Sequence, residues 1–226
     1  DGIGRRRLDA HFYGLRCLGA KLAAGGGEDY FIKAPFLRGR ELFFDEASVT
    51  ATEHIMMTAV LARGRTIIRN AAAEPHVREL GELLSEMGAI ISGLGTDTIT
   101  IGGVEKLHGA KWEIRADHIE AGSFMALAAA SGGDITVKGV TPGNFWMTRR
   151  VFEKFSVKID LLENSARISG GRKLKIKPDV GGATPIISDG PWPQYPTDMM
   201  SCSIVMATQA IGSVLFFEKM FEARMF

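Results

Sequence analysis

An internal repeat, present in three copies, is the feature that most limits what this chain can fold into. Three stretches share one plan: an amphipathic helix, a short strand, a Gly or Asn turn, and a second strand. They read FYGLRCLGAKLAAGGGEDYFIKAP, VRELGELLSEMGAIISGLGTDTITIGGV and TRRVFEKFSVKIDLLENSARISGG. Aligned at Leu18, Met87 and Phe155, they recur at a nearly constant step along the chain. A second feature keeps that step. VLARGRTIIRNA and LAAASGGDITVKGV each end a helix at Gly and enter a β-branched strand, and Gly64 and Gly133 are spaced as Leu18 and Met87 are. The third copy, TQAIGSVLFFEKMF, turns at Gly212 after a longer step, and an inserted loop around ATPIISDGPWPQYPT takes up the difference.

Helices closed by Gly and followed by alternating apolar strands argue for an α/β repeat with two helices and about four strands per unit. Helix heads recur with it. Thr50 with Glu53, and Asp117 with Glu120, have the spacing of a capping box, in which an oxygen side chain and a carboxylate satisfy the first free N–H groups. Asp198, after Pro196 and Thr197 in YPTDMM, heads a third apolar run. A helix head carries unpaired N–H groups and the positive end of a dipole, so it binds an anion where it faces a cleft and is only a cap where it faces water.

Composition narrows the function. The chain has 226 residues, 46% hydrophobic and 23% charged, with a net charge of +1. That is enough apolar material for real cores, and no field that would draw it to nucleic acid or a membrane. No apolar run approaches the roughly 20 residues that span a bilayer. Cys17 and Cys202 lack metal spacing and suit a reduced, cytoplasmic chain. There is no Walker loop, dinucleotide fingerprint or His/Cys zinc cluster, so neither cofactor nor metal is expected. A start at Asp1 rather than Met, and a stop inside EARMF, lead us to expect an internal piece of a longer protein, incomplete at both ends.

The densest polar stretch is DGIGRRRLDAH. Arg5, Arg6 and Arg7 could fork onto phosphate or carboxylate, or form a solvated loop. Ser48, after Asp45 and Glu46, could hold an anion with the N–H groups that follow it, or simply cap a helix. Met199, Met200 and Met206 read as packing, as do both cysteines.

Together IGRRRLDAH, DEASVTAT, RTIIRNAAAEPHVREL, MGAIISGLGTDTITIGGVEKL, ADHIEAGSF, YPTDMM and MFEARMF resemble the UDP-N-acetylglucosamine 1-carboxyvinyltransferase family of enolpyruvyl transferases, in family order and across essentially the whole chain. The resemblance implies an inside-out α/β barrel architecture, each domain built from three βαβαββ units, with residues 1–115 belonging to the first domain and 116–226 to the second. It implies transfer of the enolpyruvyl group of phosphoenolpyruvate to the 3-hydroxyl of UDP-N-acetylglucosamine, an early step of peptidoglycan precursor synthesis in the cytoplasm that serves cell shape and division. Those two small molecules are the expected partners. Neither nucleic acid nor membrane is expected.

By the same resemblance, Asp198 matches the carboxylate beside the attacking hydroxyl, where orienting that hydroxyl is expected to matter more than strong proton abstraction. Asp1 stands where many members carry a loop cysteine that acts as acid, and some an aspartate. Arg6 matches a contact on the phosphoenolpyruvate side. Arg6, Arg7, Leu8 and Asp9, with Ala10 beside them, match the uridine-binding loop. Ser48 and Val49 match the diphosphate-binding helix head. Met220 matches an apolar contact near the sugar, and Glu222 and Arg224 a polar pair in that segment. Further family site residues fall outside these positions, so the chain alone is expected to be inactive. Two other readings carry different tests: the sister enolpyruvyl transferase of the shikimate pathway, and a non-catalytic UDP-sugar-binding relative.

Overall fold

The computed structural model describes residues 7–25, 29–171 and 173–220. The chain divides into two compact units, Asp1–Trp112 and Glu113–Phe226. Both mix helices and sheets, and each has its own apolar core.

In the first unit the elements run α1 (Asp9–Cys17), β1 (Lys21–Ala24), β2 (Tyr30–Lys33), β3 (Glu41–Phe43), α2 (Val49–Ala59), β4 (Arg65–Arg69), α3 (Pro75–Glu86), β5 (Ile90–Ser92) and β6 (Thr98–Gly102). β1 and β2 form an antiparallel pair, and a separate four-stranded sheet has the order β3-β4-β6-β5. β3 and β4 are parallel, joined through α2, while β6 runs antiparallel to both its neighbours. Alternation decides which face is covered. Leu42, Ile68 and Ile99 are cross-strand partners on one face, and all three are buried. They pack with Ala51, Ile55 and Met56 of α2 and with Val77 and Leu84 of α3. Each such Ile or Leu contributes about 1.5–3 kcal/mol on leaving water.

The second unit runs α4 (His118–Ser131), β7 (Ile135–Lys138), α5 (Trp146–Lys154), β8 (Asp160–Leu162), β9 (Ser165–Ile168), β10 (Leu174–Lys175), β11 (Ile186–Ser188), α6 (Met200–Thr208), β12 (Ala210–Ile211) and β13 (Leu215–Phe217), with short 3-10 turns at Pro142–Phe145, Val180–Gly182 and Thr197–Met199. β7, β9 and β8 form an antiparallel sheet, and two parallel pairs, β10 with β12 and β11 with β13, complete the strands. Met125, Phe152, Phe155, Ile168, Tyr195, Met199 and Met206 lie in one core cluster.

Four sequence expectations need correction. Ser48, not Thr50, caps α2: its Oγ accepts from the Ala51 N–H at 3.4 Å, and the helix starts two residues earlier than the Thr50–Glu53 spacing suggests. Gly64 does not close α2, which ends at Ala59 with Val60 as its cap; Gly64 sits at the entry to β4 with φ +91°. Gly212 does not close α6 either, because the β12 ladder with β10 begins already at Ala210 and forces the helix to end at Thr208. The expected inserted loop holds β11 and the buried Asp189 and Tyr195, so it is built into the core. At α4 the expected cap is in place: Asp117 accepts from the Ile119 and Glu120 N–H groups at 2.7 and 3.3 Å, and Gly132, the residue before Gly133, closes the helix in the left-handed conformation.

Candidate functional site

In the first unit, α1 and α2 bring two candidate segments together. Gly14 makes this possible: a Cβ there would collide with the Ile55 side chain, so a bare backbone lets the helices approach closely. At their heads, His11 reaches across to α2. Its Nε2 lies 3.2 Å from Thr50 Oγ1, and its Nδ1 lies 3.0 Å from His54 Nδ1. The two imidazoles sit 5.3 Å apart, centroid to centroid. One nitrogen of the Nδ1 pair must carry the proton and the other accept it, so the contact requires at least one neutral ring. Burial, then the neighbouring His54, lowers the His11 pKa below 6.5.

Leu8 occupies the N-cap position of α1, and Asp9 opens its first turn. Arg7, Leu8 and Asp9 are exposed and Ala10 is half-buried. Ser48 spends its Oγ on the Ala51 N–H and its carbonyl on Thr52, while Val49 begins the helix proper. Segment 7–10 and the Ser48–Val49 head thus belong to adjacent helices joined by the His11 bridge. Behind them Glu53 is half-buried. Burial raises its pKa above 4.5, His76 opposes the rise, and Glu74 adds to it.

In the second unit the stretch from Tyr195 to Met200 alternates between core and water. Tyr195, Thr197, Met199 and Met200 are buried, whereas Asp198 is exposed within the 3-10 turn Thr197–Met199. Asp198 therefore precedes α6 rather than lying in its first turn, and no side-chain hydrogen bond caps either helix. Three anchors hold the turn. The Tyr195 hydroxyl bonds Ser203 Oγ at 2.5 Å and donates to the Met199 carbonyl at 3.3 Å; burial raises its pKa further above its ordinary value. The Met199 side chain fills the space beside Gly122 of α4. The Thr197 hydroxyl donates to Asp189 Oδ2 at 2.7 Å.

Sequence reasoning misses Asp189. It is fully buried, and its other oxygen accepts the Lys219 backbone N–H at 2.7 Å. Met220, the next residue along, is exposed at 37%. No local signal marks Asp189, since its partners Thr197 and Lys219 are remote in sequence. Asp1, Arg6, Glu222 and Arg224 lie outside the described residues. Among the described residues no cluster of three or more His, Cys, Asp or Glu could hold a metal ion, and no helix is long and apolar enough to cross a membrane. Cys17 and Cys202 are free thiols and half-buried.

Comparison with known proteins adds the family context. The family model for EPSP synthase (3-phosphoshikimate 1-carboxyvinyltransferase) matches residues 1–226. The chain is 49% identical, over all of its length and 53% of the relative's, to the UDP-N-acetylglucosamine 1-carboxyvinyltransferase of Borrelia garinii subsp. bavariensis. To the protein of the same name from Treponema denticola it is 46% identical, with the same coverage. It thus spans about half the length of these curated relatives. Among solved structures, the enolpyruvyl transferase NikO from Streptomyces tendae superposes with a TM-score of 0.81 at 15% identity, over 96% of this chain and 52% of that one. At that identity the likeness speaks for the fold alone.

Proposed function

Because the chain belongs over its full length to the EPSP synthase (3-phosphoshikimate 1-carboxyvinyltransferase) family, we propose that it forms part of an enzyme transferring the enolpyruvyl group of phosphoenolpyruvate to the 3-hydroxyl of UDP-N-acetylglucosamine. The observation that carries this reading is 49% identity, across every residue of the chain, to a relative named for that reaction. The sister reaction on shikimate 3-phosphate has the name of the family model in its favour. In keeping with the family architecture, the two units would be partial inside-out α/β barrels made of βαβαββ repeats, working in the cytoplasm on peptidoglycan precursors.

In this reading the sugar oxygen bonds to carbon 2 of phosphoenolpyruvate as its proton leaves, and carbon 3 gains a proton. The tetrahedral adduct then loses a carbon 3 proton and expels inorganic phosphate by breaking the carbon 2–oxygen bond. Asp198, solvent-facing on a turn whose neighbours are locked in the core, orients the hydroxyl and receives its proton. Asp1 would supply the proton to carbon 3. Arg6 would contact the phosphoenolpyruvate side. Arg7, Leu8, Asp9 and Ala10 would hold the uridine, and Ser48 and Val49 the diphosphate, next to each other through the α1–α2 contact. Met220, Glu222 and Arg224 would border the sugar.

The test is phosphate release by the complete gene product given both substrates. We expect turnover that Asp198→Asn lowers by roughly 10²–10⁴-fold, the usual range for a general acid–base group. Turnover with shikimate 3-phosphate and not with the nucleotide sugar would move the assignment to the sister reaction. Binding of UDP-N-acetylglucosamine without turnover would leave a non-catalytic relative.

A further inference from the structure

We propose that Asp189 is a positioning residue that couples the Asp198 turn to the segment carrying Met220, so that two sides of the sugar site move as one body. The inference rests on the function proposed above. Its structural basis is one fully buried carboxylate with its two oxygens on two different segments. Oδ2 accepts the Thr197 hydroxyl at 2.7 Å and Oδ1 accepts the Lys219 backbone N–H at 2.7 Å. Thr197 immediately precedes Asp198, and Lys219 immediately precedes Met220.

The surrounding backbone makes Asp189 a junction. It follows β11, which pairs in parallel with β13 through Ile186↔Leu215, Ile187↔Phe216 and Ser188↔Phe217. The ladder ends there, and the carboxylate extends the connection onward to Lys219. On its other side Asp189 bridges Tyr195, and the Gly190 N–H donates to the Tyr195 carbonyl at 3.2 Å. The Lys219 ammonium reaches Gln194 Oε1 at 3.5 Å, a second tie between the same segments. A buried carboxylate is costly unless its lone pairs are filled, and hydrogen bonds to a charged acceptor are short and strong. A buried hydrophobe could fill this volume, but it could not hold two backbone segments at fixed distance.

The chemistry separates positioning from folding. Asparagine can keep both contacts, its oxygen facing the Lys219 N–H and its amide donating to the Thr197 hydroxyl, which rotates to accept. Alanine loses both contacts, and Thr197→Val loses only the one nearest Asp198. In the complete gene product, Asp189→Ala should lower kcat by roughly 10²-fold, the scale of a misplaced reacting group, and raise KM for the nucleotide sugar. Thr197→Val should lower kcat with little change in KM, while Asp189→Asn and Thr197→Ser should restore most of both. A merely structural role would reduce the fraction of active sites but leave both KM and the kcat per titrated active site unchanged. If Asp189→Ala does not fold, Thr197→Val and its serine rescue carry the decision alone.

Hydrogen exchange in the same chain provides a readout independent of catalysis. Thr197→Val should speed exchange at the Lys219 amide as well as at Met199 and Met200. If the complete product shows no enolpyruvyl transfer, the functional assignment fails, yet this exchange pattern still decides whether the two segments are coupled. Unchanged KM and kcat in both Asp189→Ala and Thr197→Val, or exchange confined to one segment, would overturn the proposal.

Discussion

The imidazole pair at the heads of α1 and α2 makes the fold sensitive to pH. His11 and His54 share an Nδ1–Nδ1 contact of 3.0 Å that a doubly protonated pair cannot keep. The His11 pKa is lowered from 6.5, first by burial and then by His54. The unfolded chain therefore binds this proton more readily than the folded one. Stability from this site is complete above pH 6.5 and declines as pH falls from 6.5 toward the lower folded value. Glu53 acts with the opposite sign. Its pKa is raised above 4.5, so its contribution is complete below pH 4.5 and declines as pH rises through the folded value. Urea denaturation across the mildly acid to neutral range should show His11→Gln flattening the acid-side loss, whereas Glu53→Gln should lift stability at neutral pH. An unaltered slope in His11→Gln would remove the pair from the account. Residue-scale features are legible where one local bond decides them, as at Asp117. They are not where neighbours compete: in the run Ser48, Val49, Thr50 the sequence offers two caps, and His11, remote from Thr50 in the chain, engages the hydroxyl left over.

Elements are easier to read than their ends. The stretches around α1, α3 and α5 each fold as a helix followed by an antiparallel strand pair, because a helical apolar period gives way to strand alternation at each. Their terminations depend on tertiary ladders, which is why Gly212 looks like a helix stop in the sequence and is none in the fold. The site shows the same division. Asp198 is visible through its YPTDMM setting, while Asp189, which holds that turn, is connected only through space. Helix spacing is also an element-scale property, and Gly14 tests it. An alanine Cβ would press into the buried Ile55. Overpacking costs about 1–3 kcal/mol and the better helix propensity of alanine returns about 1 kcal/mol. Gly14→Ala should therefore lose about 1 kcal/mol by denaturant titration. It should also weaken the His11 contacts, read as a His11 pKa moving back toward 6.5 by proton NMR. A stabilised variant would show that α1 and α2 can separate without cost.

At the scale of the whole molecule, each unit carries its own core. Among the described residues, one cluster is built from residues between Ala10 and Leu107, the other from residues between Ile119 and Phe216. Each core is held by its own large apolar side chains, Phe44, Ile55 and Ile68 in one and Phe145, Phe152 and Phe155 in the other. A chain with two such cores need not unfold in one step, because the loss of one removes no apolar contact from within the other. Calorimetry should then resolve two transitions, or one whose calorimetric enthalpy exceeds its van't Hoff enthalpy. Phe152→Ala removes a fully buried ring and should destabilise its own unit by about 3–5 kcal/mol. The transition belonging to Glu113–Phe226 should fall in temperature while the other stays in place. Ile55→Ala should do the reverse, at a cost of about 2–5 kcal/mol. A single transition that moves equally in both variants would mean that the units fold as one cooperative body. The candidate segments of the first unit and the Asp198 turn of the second would then share their stability, and a substitution in either would be felt in both.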